Sequence, residues 1–261
     1  HPYGTQTVLG TQEHLKNPSI TNIKNYHKTW YVPNNMAICL SGDFNPDEMI
    51  AIIDKYFGDM QPNPNLPKLE FPKEKEITEP IVAEVVGLEA ESVFLSWRFP
   101  GAGHPDGEKL ELLSQILFNG TAGLFDLNLI QQQKVLYGLC TPFTMSDYSA
   151  FIMYGGPKQG QTLEEVKDLF FAELKNLREG NFDEGLLEGI LNTYKRSQQM
   201  QLESNDSRAD MFVNSFVNGT NWADEVGRME RLANITKQDI VDFANKYLNE
   251  NNCAIIYKRQ G

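Results

Sequence analysis

The sequence predicts an α+β fold, a mixed or antiparallel sheet with helices packed on one face. Three observations predict it. Short apolar runs of strand length recur between longer stretches of helical period. The helical stretches come in consecutive pairs, and the strands outnumber what a helical bundle allows. The third observation is an internal repeat: residues 23–40 match residues 240–257 at a constant offset of 217. Ile23, Asn34, Asn35, Ala37 and Ile38 are identical to Ile240, Asn251, Asn252, Ala254 and Ile255. Tyr26/Phe243 and Trp30/Tyr247 pair aromatic with aromatic. Solenoid periods are about 20–50 residues, so an offset this long indicates duplicated domains. Each copy reads as a helix followed by a strand. The first copy lies near the start of the chain. If each copy closes a domain, the first domain is truncated here and the chain is a piece of a larger protein.

The elements follow in order. Residues 1–18 hold turn signals (Pro2, Gly4, Gly10, Pro18) and no clear period. Thr21 can cap a helix with the stripe Ile23, Tyr26, Trp30, stopped by Pro33 and the Asn pair. Met36–Leu40 is a short apolar run that reads as a buried strand. Asn45-Pro46 supplies a cap and a first-turn proline for a helix ending at Gly58. Then Pro62, Pro64, Pro67, Pro72 and Pro80 lie among polar residues. Such a segment is stiff and cannot join a sheet interior. It places a linker at 61–75, between a first part at 1–60 and a second domain at 76–261.

Beyond the linker, 81–86 and 92–99 read as strands and 107–118 as a helix ended by Asn119-Gly120. A second short helix is expected over 124–133. Residues 137–144 and 150–154 read as a hairpin around Ser146-Asp147. The stripe Val166, Phe170, Leu174, Leu177 predicts a helix over 163–178, capped by Thr162. Residues 182–217 read as helical with a break near 204–207. A helix over 222–232 and the second repeat copy close the chain.

Composition and charge exclude several functions. A net charge of -12 argues against nucleic acid, whose phosphates need clustered Lys and Arg. No apolar run reaches the roughly 20 residues of a membrane span. The three cysteines, Cys39, Cys140 and Cys253, lack metal spacing and read as small buried hydrophobes. The histidines are His1, His14, His27 and His104, and no H-E-x-x-H or H-x-x-E-H occurs. Gly10-Thr-Gln-Glu13-His14 has Gly where a first His would stand, too few donors for a catalytic zinc. No Ser-His-Asp set is recognisable. Asn119-Gly-Thr-Ala-Gly123 lacks the Lys of a phosphate loop and reads as a helix stop and turn. No catalytic residue and no metal ligand are therefore assigned.

Several motifs together resemble the insulinase/pitrilysin family of zinc metallopeptidases, which includes the mitochondrial processing peptidases. They are His1-Pro-Tyr-Gly4, then Tyr31-x-Pro33-x-Asn35-Met36 leading to Gly42-Asp43, and a helix ending Tyr56-Phe57-Gly58. Phe99-Pro100, Ile116-Leu117, the Gly-rich turn, Leu124-Phe125, and Leu129 leading to Tyr137 continue the likeness over essentially the whole chain. The resemblance implies two duplicated domains. The first carries H-x-x-E-H and a downstream Glu, both before the His-Pro-Tyr-Gly segment. Residues 1–60 would then end a catalytic-type domain, and 76–261 would be the non-catalytic second domain, with no cofactor in this piece and zinc in the parent. Its partners would be the remaining domains of the parent chain and peptide substrates. The family's substrate-holding pair is an Arg followed seven positions later by a Tyr. Aligned on Leu129 and Tyr137, the Arg position is Ile130, which offers no donor. Tyr137 alone remains as a candidate substrate contact. A second reading is a structural or assembly subunit of the same fold with no peptidase activity, like the core subunits of respiratory complexes.

Overall fold

The computed structural model describes residues 1–261. The chain forms two compact units. One contains His1–Lys75 with Asn205–Val213, and the other contains Glu76–Ser204 with Asn214–Gly261.

The smaller unit holds helices α1 (Pro2–Thr5), α2 (Gln12–Lys16), α3 (Ile20–Trp30) and α4 (Pro46–Phe57). The cap of α3 is Ser19 rather than Thr21, with its hydroxyl accepting from the Asn22 N–H. Asn45 caps α4 and Pro46 stands in its first turn, as read from the sequence. The short helices α1 and α2 were not legible because neither has an apolar stripe. Thr11 and His14 instead close a capping box around α2. Residues 36–40 correct the strand expectation. They belong to no ladder, and Met36, Ile38 and Leu40 stay exposed. A strand needs a neighbour for its backbone groups, and residues 36–40 find none within this chain.

The larger unit is built on β1 (Ile81–Gly87), β2 (Ser92–Pro100), β3 (Tyr137–Phe143), β4 (Tyr148–Gly156) and β5 (Ala254–Gln260). The sheet order is β1-β5-β2-β4-β3. β5 runs parallel to β1 and antiparallel to β2, so the last strand of the chain separates the first two. β4 pairs antiparallel with both β2 and β3, which makes the expected hairpin.

Helices α5 (Asp106–Leu117), α6 (Leu163–Arg178) and α10 (Lys237–Tyr247) pack together over one face of the sheet. Helices α7 (Glu184–Glu203), α8 (Asn205–Asn218) and α9 (Trp222–Ala233) come between α6 and α10 in sequence. α7 and α8 meet at Ser204, inside the expected break. Thr162 caps α6 in a capping box with Glu165. The core lies between sheet and helices. Val93, Leu95, Trp97 and Phe99 of β2 alternate inward to meet Leu113, Ile116, Phe170, Leu174, Ile240 and Phe243. The architecture is the expected α+β one, with a mixed sheet covered by helices.

Candidate functional site

The Gly-rich turn after α5 closes on a carboxylate of the chain itself. Asp126 is 5% exposed. Its Oδ2 accepts backbone N–H bonds from Asn119 at 3.0 Å, Gly120 at 3.1 Å and Gly123 at 2.9 Å. Asn119 Oδ1 accepts from the N–H groups of Thr121 and Ala122. Gly120 has φ +81°, and a Cβ at Gly123 would fall 2.7 Å from the Leu117 carbonyl oxygen. The glycines thus let three backbone N–H groups converge on one side chain. A concave set of N–H groups is an anion site in general. Here the anion is Asp126, so a phosphate would find those donors taken.

The expected helix over 124–133 is instead a π-turn at Asp126–Ile130. Two anchors explain its shape. Asp126 holds its start in the glycine turn, and Asn128 Nδ2 donates to Glu173 Oε2 at 2.8 Å. Glu173 is buried on α6, and Asn176 Nδ2 donates to the same oxygen at 3.1 Å. Leu129 is fully buried, while Ile130 is half-buried against the same core. The chain then turns through Gln133, the one non-glycine with positive φ among the described residues. Lys158 Nζ and Gln161 Nε2 hold the carbonyls of Gln133 and Lys134. Tyr137 begins β3 directly after this turn.

Tyr137 therefore sits at the start of an edge strand, 38% exposed. Its ring meets Tyr154 edge-on at 6.2 Å, and Tyr154 stacks on Phe94 at 5.2 Å. The three rings form a row on the face opposite to α6. The ring also covers Gly156, where a Cβ would lie 2.4 Å from it. Ile130 packs against the core, and its side chain carries no hydrogen-bond donor.

The residues present do not fit a zinc ion. Among the described residues no three His, Cys, Asp or Glu side chains form a metal-holding group. His14 Nδ1 accepts the Thr11 N–H within the α2 capping box. His27 stacks on Tyr31 at 4.5 Å, and His104 Nδ1 accepts the Asp106 N–H. A cavity of about 640 Å³ lies between α5, β3 and the loop 100–105. Its carboxylates are engaged already: Asp106 accepts from the Tyr247 hydroxyl at 2.6 Å, and Glu111 pairs with Arg228. Two features here escaped the sequence reading, Asp126 and Glu173. Both look like ordinary helix-surface acids, and only the glycine spacing before Asp126 carried a signal.

Cys140 and Cys253 are buried as expected, whereas Cys39, expected to be buried too, is only half-buried. Burial pushes the Cys140 thiol far up and the Cys253 thiol to about 11. Cys140 Sγ donates to the Ser114 carbonyl, and Cys253 Sγ to that of Glu250. The thiolate is the reactive form, so raised values and burial together suppress reaction. In residues 1–261 at pH 8, iodoacetamide should label Cys39 and leave Cys140 and Cys253 unmodified until denaturant is added. Peptide mapping that finds Cys140 alkylated in the native state would contradict this burial.

A model of the peptidase M16 inactive domain matches residues 19–194. The zinc protease PqqE of Helicobacter pylori is 23% identical over 266 residues, covering 98% of this chain and 58% of that protein. The crystal structure of a protease from Helicobacter pylori superposes with a TM-score of 0.89 at 21% identity, over 96% of this chain and 62% of that one. The peptidase M16 inactive domain from Pseudomonas fluorescens gives 0.81 at 20% identity, over 100% and 62%. The chain thus spans less than two thirds of the length of these relatives. No helix is long and apolar enough to cross a membrane.

Proposed function

The chain belongs to the peptidase M16 inactive-domain family, and from that membership we propose that it forms a wall of the peptide-enclosing chamber of a zinc metalloendopeptidase. The larger unit is the non-catalytic domain in this reading. Residues 1–60 end a catalytic-type domain, and 61–75 link the two. Peptide substrates and the remaining domains of the same protein are its partners. The observation that carries the reading is the donor set: a peptidase-family chain whose residues do not fit a metal ion. A zinc-activated water attacking a peptide carbonyl needs about three protein ligands and a base. Those belong to the rest of the protein. What this chain's residues do is bound the chamber and exclude water from it.

Tyr137 tests the passive role. Ile130 already breaks the donor pair that would accompany a catalytic tyrosine. Tyr137→Phe in the full-length enzyme should therefore leave kcat and kcat/KM within about twofold, because one ordinary hydroxyl is worth about 0.5–1.5 kcal/mol and acts mainly on stability. An equal fall of roughly 100-fold in both, with folding intact, is the signature of a lost transition-state donor and would overturn the assignment. Metal analysis supplies the second readout. One zinc per full-length chain and none in residues 1–261 are expected. A full-length protein with neither zinc nor peptide hydrolysis would make the assembly-subunit reading the right one.

A further inference from the structure

The tripeptide Asn-Gly-Thr occurs twice, at 119–121 and at 218–220. Each copy lies at the end of a helix, α5 or α8, and each glycine has positive φ, +81° at Gly120 and +64° at Gly219. An asparagine before glycine is chemically labile, because no Cβ on the next residue hinders ring closure of the amide carbon onto the backbone nitrogen. The intrinsic chemistry is the same in the two copies, and their surroundings differ.

Asn119 is held at every atom that would have to move. Its Nδ2 donates to the Gln115 carbonyl at 3.0 Å, and its Oδ1 accepts from the Thr121 and Ala122 N–H groups at 3.0 and 2.9 Å. The Gly120 N–H, whose nitrogen would attack, donates to Asp126 Oδ2. Ring closure there must wait until the latched turn opens.

Asn218 lacks these restraints. It is the last residue of α8 and is exposed, as is Gly219. Its side-chain amide has no hydrogen-bond partner. The Gly219 N–H makes one bond, to the Phe216 carbonyl at 3.2 Å, in the last turn of the helix, where ends fray. Ser215 and Thr220 close the turn around the pair: Ser215 Oγ donates to the Thr220 carbonyl at 2.8 Å, and the Thr220 N–H donates to the Ser215 carbonyl at 3.0 Å.

We propose that Asn218 is a site of spontaneous covalent modification and that Asn119 is its protected twin. The Gly219 nitrogen, having lost its proton to base, attacks Asn218 Cγ. A C–N bond forms, the Cγ–Nδ2 bond breaks, and ammonia leaves carrying a proton regained from solvent. Solvent water then opens the cyclic imide at either carbonyl, giving aspartate or isoaspartate. The net change is amide and water to acid and ammonia, with nothing oxidised or reduced. Either product puts a negative charge at the carbonyl end of α8, the unfavourable pole of its dipole. Isoaspartate also lengthens the backbone between α8 and α9. The proposal does not depend on the peptidase reading.

Peptide mapping of the full-length protein held at pH 8 tests it. In the native state Asn218 should convert roughly 10-fold or more faster than Asn119, which reacts only on local opening. In denaturant the two rates should fall within about threefold of each other, because the protecting bonds are gone and the tripeptide is the same. An unmodified Asn218 in the native protein, or equal native rates at the two sites, overturns the proposal. So does a rate ratio that survives denaturation, since the flanking sequence and not the fold then sets it. Asn218→Gln gives an independent reading. Glutamine would have to close a larger ring, which forms far more slowly, and the side chain it replaces has no partner to lose. The first acidic species that accumulates on ion exchange of the wild type should be absent from Asn218→Gln, and its persistence there would overturn the assignment.

Discussion

Truncating Trp97 to alanine should destabilise the larger unit by about 3–5 kcal/mol, the usual range for removing a buried aromatic. Trp97 lies on the helix-facing side of β2 and is 1% exposed. Its indole packs between Phe151 at 6.2 Å and Phe171 at 6.3 Å. Alanine would lose this dispersion and leave a void under α6. The indole Nε1 also donates to the Asn249 carbonyl at 2.9 Å, tying β2 to the turn between α10 and β5. Without it that carbonyl loses its partner. Trp97→Phe keeps most of the carbon and should be far milder. Urea denaturation followed by circular dichroism measures both. A loss under about 1 kcal/mol for the alanine variant would mean that the core repacks around the gap.

Asp126→Ala should lower stability by roughly 3 kcal/mol or more, because three backbone N–H groups lose one charged acceptor at once. All three bonds end on Oδ2, so one substitution frees three N–H groups of the turn. Asp126→Asn can place its amide oxygen where Oδ2 stood. It keeps the geometry while losing the charge, and it should cost less than half as much. The alanine variant should also become sensitive to protease within 119–123, since the loop's own residues bury little. Wild-type stability and protease resistance in Asp126→Ala would show that the turn is held by its glycine conformations alone.

The first stretch of this chain illustrates the limit of local reading. The helix starts at Asn45, Thr162 and Thr236 are local events. A short side chain with an oxygen meets N–H groups two or three residues ahead, and no distant partner is needed. The amphipathic stripe of α6 was legible for the same reason, because its period is written in consecutive residues. The Met36–Leu40 run was read as a strand from composition. Its copy at Ala254–Gln260 is one, with the same upstream helix, turn and asparagine bond. The difference is the presence of β1 and β2 beside one copy and of no strand beside the other.

The site shows the same division. The glycines of Asn119–Gly123 announced a turn, yet nothing local said that Asp126 would fill it or that Asn128 would reach Glu173 on α6. Those contacts open a wider π-turn where the period suggested a regular helix. The sequence by itself determined the caps of α4 and α6, the α+β class and the repeat, because each depends on neighbours along the chain or on residue identity. Tertiary structure alone decided that the last strand inserts between the first two, that Asp126 latches the glycine turn, and which repeat copy is buried. Each of these depends on surfaces brought together from distant parts of the chain, where burial and unsatisfied backbone groups, rather than local propensity, set the free energy.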